Sequence, residues 1–110
     1  MMQVSETQWS VQEKEIVKAA LQAARERETD ILVKYVREQA SEISNIEDIW
    51  RLHDFLSARR HYIDGKYDDR ESGILFVLSG LVKEGWLAID ELTGLDASKL
   101  AKVLALTRVL

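Results

Sequence analysis

The residues that interrupt helices are confined to the second half of this sequence. The chain contains no proline, and its five glycines all lie at or after Gly65. In a helix interior proline costs about 3 kcal/mol relative to alanine, and glycine about 1 kcal/mol. The first 64 residues can therefore form long, unbroken helices, and the sequence predicts an all-α fold.

Two short motifs indicate where the first helices begin. The segment Ser10–Glu13 has the pattern Ser-x-x-Glu, a capping box in which each side chain bonds the other residue's backbone N–H, and Trp9 is in position to pack on the first turn. The segment Ser44–Glu47 repeats the pattern. We therefore expect one helix over residues 11–43 and a second that ends near Ile63.

Turn-forming residues divide the rest of the chain into shorter elements. The expected elements are a turn at 64–69 with Gly65 in a left-handed conformation, a helix from about 69 to 84, a stop at Gly85, an irregular or single-turn segment at 86–95 and a helix from an Asp96 cap to about Thr107. Together these elements predict a small helical head on a helical stalk.

The length of the first helix raises the question of what it packs against. A helix over residues 11–43 is about 50 Å long, whereas a compact domain of this size has a radius of gyration of about 13 Å. The segment Ile31–Val36 is apolar almost all round, unlike a one-sided surface helix. We predict a homodimer in which residues 1–64 form a dimerisation stalk and residues 65–110 the head. The alternative is a hairpin that folds back at Ser44 and buries the apolar ring within one chain.

The second predicted helix carries an unusual mixture of side chains. On a helix, Trp50 and Asp54 share one face, and His53 and Arg60 lie on a neighbouring face. Aromatic residues and arginine are enriched at protein-binding hot spots. If two copies of the helix cross antiparallel near Ser57, Asp54 of one chain faces Arg60 of the other. The pattern therefore predicts a protein-binding surface.

Several other functional classes fit the sequence poorly. Without cysteine there are no disulfides or thiolate metal sites, and a net charge of −4 argues against nucleic acid as the main partner. The sequence shows neither a signal peptide nor a membrane span, which predicts a cytoplasmic protein. His53-Asp54 could belong to a metal hydrolase of the HD type, but further ligands are missing. We expect no metal and no cofactor.

A DNA-binding dimer is the rival interpretation. The segment from Leu81 to Val103 reads as helix, turn, helix. The last helix, which would contact DNA, carries only three basic residues, Lys99, Lys102 and Arg108. An acidic helical adaptor is a related possibility.

The sequence around the second helix resembles a known family. The run WRLHDFLSA at 50–58, followed by Arg60-His61 and by IDGKYDDR at 63–70, closely resembles the fluorescence recovery proteins of cyanobacteria. The likeness extends into the head at Ser72, Phe76, Leu81, 83–85 and 91–93.

This resemblance implies a specific function. Proteins of the family are all-helical dimers without a cofactor, and they are regulators rather than enzymes. They bind the photoactivated red form of the orange carotenoid protein, mainly on its C-terminal domain. They accelerate its return to the orange form and promote its detachment from the phycobilisome, which ends non-photochemical quenching. The implied location is the cytoplasm, with the periphery of the thylakoid membrane as an alternative.

The resemblance also assigns roles to residues. It places Trp50, His53, Asp54 and Arg60 in a patch that serves the dimer interface and activity, and Phe76 and Lys102 in the contact with the carotenoid protein. The apolar run around Phe76 by itself favours a core position, and with the resemblance added the core and the surface positions are equally favoured.

Overall fold

The computed structural model of the chain describes residues 8–110. These residues form the helices α1 (Val11–Ser41), α2 (Ile46–Lys66), α3 (Ile74–Glu84) and α4 (Ala97–Val109), with 3-10 turns at Glu71–Gly73 and Ile89–Leu92. The all-α prediction is confirmed. The expectations for residues 1–7, namely the lack of a signal peptide and membership of the stalk, lie outside the described residues.

The starts of α1 and α2 show one capping prediction confirmed and one displaced. Ser10 Oγ accepts the Glu13 N–H at 3.1 Å, and the Glu13 carboxylate accepts the Ser10 N–H at 3.1 Å. The cap of α2 is Asn45, whose Oδ1 accepts the Asp48 N–H at 3.1 Å. The predicted capping box at Ser44 is therefore wrong by one residue. Ser44 instead donates its N–H and hydroxyl to the Asp48 carboxylate, because that side chain bends back over the helix start.

The junction between α2 and α3 also differs from the prediction. α2 continues through Gly65 to Lys66, and Gly65 is not among the glycines with positive φ. The predicted left-handed turn there is wrong, because buried Ile63 and the bonded Lys66 hold the last helical turn in place. The helical segment that follows begins at Glu71 as a 3-10 turn, slightly later than expected.

The end of α3 and the start of α4 follow the sequence more closely. Gly85 adopts φ +85° and ends α3 as predicted, and the expected single turn is present at Ile89–Leu92. Asp96 occupies the cap position of α4, but its carboxylate accepts the Ser98 hydroxyl at 2.7 Å rather than a backbone N–H.

Helix α2 folds back antiparallel along the second half of α1. Three pairs define the alignment. The rings of Tyr35 and Phe55 pack with their centroids 5.0 Å apart. Lys66 Nζ lies 2.7 Å from Glu28 Oε1, and Arg25 Nη2 lies 3.5 Å from Asp64 Oδ1. The single chain thus forms the hairpin that was the alternative arrangement. The hairpin does not bury the apolar ring, since Ile31 is 56% exposed and Val33 50% exposed. The homodimer remains a prediction.

The hydrophobic core joins the first half of α1 to the head. Its α1 members follow helical spacing, so that they form a single stripe. The core residues are Trp9, Val17, Ala20, Leu21, Ala24, Ile74, Leu78, Leu81, Leu87, Leu92, Leu95 and Val103. The molecule is elongated, 61 × 27 × 25 Å, with a radius of gyration of 17.3 Å. The division at residue 64 remains a prediction, while the packing joins residues 17–24 to the head helices.

A buried ion pair connects the start of α1 to α4. Lys99 Nζ lies 2.6 Å from Glu13 Oε1, and both residues are buried. Lys99 also donates to the Gln8 carbonyl and lies 4.6 Å from the centre of the Trp9 ring, while Glu13 Oε2 accepts the Asp96 N–H at 2.9 Å. The hydrogen bond from Lys99, supported by backbone N–H groups, lowers the pKa of Glu13 to about 2.

A second ion pair connects α1 to the turn before α4. Arg27 donates twice to the Glu91 carboxylate, at 2.8 and 2.5 Å, and once to the Trp86 carbonyl at 3.0 Å. The Ala88 N–H also donates to Glu91, at 2.8 Å. The Arg27 hydrogen bonds, followed by that from Ala88, lower the pKa of Glu91 to about 2. The head is therefore held to α1 by the core, by these two ion pairs and by the exposed Lys14–Glu71 pair.

The Glu13–Lys99 pair predicts an acid-sensitive stability. In the folded protein the pKa of Glu13 is about 2, below its ordinary value of 4.5. The contribution of the pair to the free energy of unfolding is therefore complete above pH 4.5 and disappears as the pH falls towards 2. Glu13→Gln should lower the free energy of unfolding at pH 7 by about 3 kcal/mol, because Lys99 stays buried without a counter-charge.

Urea unfolding followed by circular dichroism, at pH 7 and at pH 3, measures this effect. The exposed neighbour Glu15 supplies the control, Glu15→Gln, which should leave stability within about 0.5 kcal/mol of wild type. The difference in free energy of unfolding between wild type and Glu13→Gln should be smaller at pH 3 than at pH 7. A gap that is the same at both pH values would contradict the assignment.

Candidate protein-interaction site

One side of α2 packs on α1, and the opposite side is open. Within α2, Ile63 is the one buried residue, and the half-buried Leu52, Phe55 and Arg59 lie on the same side as Ile63. The open side consists of residues that are all exposed: Ile46, Trp50, His53, Asp54, Ser57, Ala58, Arg60, His61 and, at its edge, Asp64, which also reaches Arg25 of α1. We call these nine residues the outer face of α2. It contains every α2 residue that the sequence indicated as functional.

The first part of the outer face is organised around Trp50, which is 53% exposed. The rings of Trp50 and His53 meet edge-on with centroids 6.4 Å apart, and His53 Nδ1 lies 3.2 Å from Asp54 Oδ1. An indole this exposed leaves a large apolar surface in water, which burial against a partner would remove. The three side chains form a connected group that is suited to binding a protein.

The second part of the outer face is charged. Arg60 Nε lies 3.7 Å from Asp64 Oδ2, and the other Asp64 oxygen lies 3.5 Å from Arg25 of α1. Among the ion pairs of residues 8–110, none joins Asp54 to Arg60 within the chain. Exposed pairs of this kind contribute at most about 1 kcal/mol, so Arg60 can exchange Asp64 for another carboxylate at little cost.

The middle of the outer face is a shallow depression. It has a volume of about 580 Å³ and is lined by Asp54, Ser57, Ala58, Arg60, His61 and Asp64. The small side chains of Ser57 and Ala58 let another backbone approach closely. Across residues 8–110 no group of three or more His, Cys, Asp or Glu side chains is arranged to hold a metal ion. The arrangement therefore suits recognition of a protein surface.

The two head positions are both at the surface. Phe76 is 59% exposed on α3, whereas its neighbours Ile74 and Leu78 are buried. The core position that the local pattern favoured for Phe76 is wrong, because only one side of α3 packs on α1 and α4. Lys102 is exposed on α4, while Lys99 is buried against Glu13.

The structure also contains a polar cluster that sequence reasoning missed. We call it the neck cluster: Glu28 of α1, Tyr62 and Lys66 of α2, Tyr67, and Glu84 of α3. Lys66 Nζ donates to Glu28 and to Glu84, each at 2.8 Å. Tyr67 donates its hydroxyl to Glu28 at 2.7 Å, and Tyr62 donates to Glu84 at 2.9 Å. No local motif could have revealed it, because the five residues meet only once α2 has folded back.

Burial and hydrogen bonding shift the neck pKa values. Burial, together with the hydrogen bond to Glu28, raises the pKa of Tyr67. Burial by itself would lower the pKa of Lys66, but its bonds to Glu28 and Glu84 outweigh that effect and raise it. Lys66 is therefore a stable cation in the neck.

A small apolar groove runs beside the neck cluster. It has a volume of about 290 Å³ and is lined by Glu28, Ile31, Leu32, Tyr35, Phe55, Arg59, Ile63 and Trp86.

None of the helices in the described part of the chain is both long and apolar enough to cross a membrane.

Comparisons with known proteins agree along nearly the whole chain. The family model described as photoprotection regulator fluorescence recovery protein matches residues 9–107. The fluorescence recovery protein of Synechocystis sp. PCC 6803 is 50% identical over 109 residues, which are 99% of this chain and 100% of that protein.

Solved structures give the same result. The fluorescence recovery protein of Fremyella diplosiphon is 54% identical and superposes with a TM-score of 0.88, and the match covers 92% of this chain and 99% of that one. The corresponding Synechocystis structure is 51% identical with a TM-score of 0.88 and the same coverage. The chain therefore belongs to the fluorescence recovery protein family of photoprotection regulators.

Proposed function

We propose that this protein regulates photoprotection by binding the photoactivated orange carotenoid protein. It accelerates the red-to-orange reversion, promotes detachment from the phycobilisome and so ends non-photochemical quenching. It acts as a binding partner rather than as an enzyme, and it needs no cofactor. Its place is the cytoplasm, at the periphery of the thylakoid membrane while its partner is bound to the phycobilisome.

Family membership over residues 9–107 carries this proposal. The exposed Phe76 and Lys102 of the head support it, since an apolar anchor and a cation are suited to burial and orientation in a protein contact. A partner accelerates a conformational change when it binds the transition state more tightly than the starting state. Holding the two domains of the carotenoid protein close together is one way to achieve this.

The direct test is optical. Photoactivated orange carotenoid protein is placed in the dark with a stoichiometric amount of this protein, and the red-to-orange recovery is followed by absorbance. We expect recovery at least tenfold faster than without it. An unchanged rate would refute the proposal, and salt-sensitive binding to duplex DNA would favour the rival interpretation, a DNA-binding dimer.

The burial of Lys99 weakens the DNA-binding interpretation, because α4 is left with two free cations, Lys102 and Arg108.

Replacing Phe76 tests the contact in the head. Phe76→Asp should weaken binding of the C-terminal domain of the carotenoid protein by about 30-fold, the effect of removing an apolar hot spot. The helical circular dichroism should stay unchanged, because the ring is exposed. Val11→Asp, at an exposed apolar position in the first turn of α1, is the matched control and should bind normally. Loss of helical structure in Phe76→Asp would show that the ring supports the fold.

We also propose that the outer face of α2 forms a homodimer. An antiparallel crossing near Ser57 brings Asp54 of one chain to Arg60 of the other, twice across the twofold axis. The exposed Trp50 and the small residues in the depression suit such a crossing. The weak pairing of Arg60 with Asp64 at 3.7 Å leaves the guanidinium available for exchange.

Charge exchange tests this pairing. Asp54→Arg and Arg60→Asp should each weaken dimerisation by about tenfold or more, because like charges then meet across the axis. The double variant should restore most of the affinity. Sedimentation equilibrium over a range of concentrations measures the dissociation constant. A double variant no better than the two single ones would rule out this register.

A further inference from the structure

Helix α2 is attached to the rest of the chain mainly at one end. Of its 21 residues, Ile63 alone is buried, and it lies in the last turns beside the neck cluster. Near the other end Ile46, Ile49 and Trp50 are each more than 40% exposed. Burial of apolar surface supplies most of the stability of a packed helix. Within one chain, the position of α2 therefore depends strongly on what holds its C-terminal turns.

The head and the first half of α1 are fixed together much more firmly. They share the hydrophobic core and are also linked by the Glu13–Lys99 and Arg27–Glu91 pairs. Segments with few buried contacts open locally while better packed segments stay closed. Helix α2 is thus the element that can move relative to the head without unfolding it.

Lys66 is the residue that bridges these parts. Its ammonium group bonds Glu28, on the buried side of α1, and Glu84, in the last turn of α3. The Lys66 side chain is only 11% exposed and that of Glu28 only 4% exposed. A buried ion pair adds little net stability over apolar residues of the same size, because desolvation cancels most of the attraction. It does constrain the relative orientation of the elements that it joins, since the donors and acceptors bond well in only one arrangement.

We infer that Lys66 is a positioning residue that fixes the orientation of α2 relative to the head. Through Lys66 the outer face of α2, which carries Trp50 and Arg60, is held at a defined angle to the α3 surface that carries Phe76. The raised pKa of Lys66 is consistent with this role, because the cation persists across the physiological pH range. The consequence for recovery rests on the proposed function, whereas the structural role does not.

Hydrogen–deuterium exchange of the full chain tests the structural role. Lys66→Met keeps the length and apolar stem of the side chain but removes both charged bonds. Exchange of α2 amides should become about 100-fold faster, the effect of breaking a buried pair. Exchange in α3, α4 and residues 11–24 should change by less than about threefold. Lys34→Met, at an exposed position on α1, is the matched control and should leave the pattern unchanged.

A second variant and a distance measurement extend the test. Glu84→Gln removes only the charge on the α3 side and should accelerate α2 exchange by about tenfold. Because the chain has no native cysteine, spin labels can be placed at Glu47→Cys and Ala101→Cys, in chains diluted with unlabelled protein. The distance distribution between the labels should be narrow with Lys66 present and clearly broader in Lys66→Met.

The outcomes separate the possibilities. Uniformly faster exchange or global unfolding in Lys66→Met would make Lys66 an ordinary core residue and overturn the inference, as would unchanged exchange with an unchanged distance distribution. In the recovery assay, Lys66→Met should lower the maximal acceleration of recovery. The protein concentration that gives half of the maximal acceleration should change less. If wild type itself gives no acceleration, the proposed function fails, while the exchange result still decides the role of Lys66.

Discussion

The rest of the structure depends on the length of α1, which is longer than the hydrophobic core against which it packs. α1 has 31 residues and spans about 46 Å, so its first half packs with the head and its second half extends beyond it. This projecting half offers α2 a surface on which to fold back. Because a pair of helices cannot bury all of its apolar surface, Ile31, Val33 and Trp50 remain exposed. The elongated shape and the open outer face of α2 both follow from this geometry.

Charged contacts then fix what apolar packing leaves undetermined. Glu13–Lys99 connects the start of α1 to α4, Arg27–Glu91 connects its middle to the turn before α4, and the neck cluster connects α2 to both α1 and α3. Because a buried ion pair adds little net stability over apolar residues of the same size, we infer that the buried pairs Glu13–Lys99 and Glu28–Lys66 chiefly select one arrangement of the helices. In a protein that is proposed to act by binding a partner, defined angles between its binding surfaces are useful.

The differences between prediction and structure have local physical causes. The start of α2 moved by one residue because Asn45 caps as well as serine and Asp48 folds back over it. Gly65 stayed helical because Ile63 and Lys66 are held by tertiary contacts that a turn would break. Phe76 was misjudged by pattern alone because a short apolar run does not show which of its sides meets the core; the resemblance left both positions open, and the packing of α3 shows that the ring is exposed.

Local sequence features are enough to predict the helical class, the start of α1 at Ser10, the stop at Gly85 and the composition of the outer face of α2. These depend on helix-breaking residues, capping side chains and spacing along one helix, all of which are local properties. The three-dimensional fold was needed to establish that α2 folds back on α1, that Lys99 is buried while Lys102 is exposed, and that Lys66 contacts Glu28 and Glu84. The reason is that each of these contacts joins residues far apart in the chain, and their meeting depends on how whole helices pack.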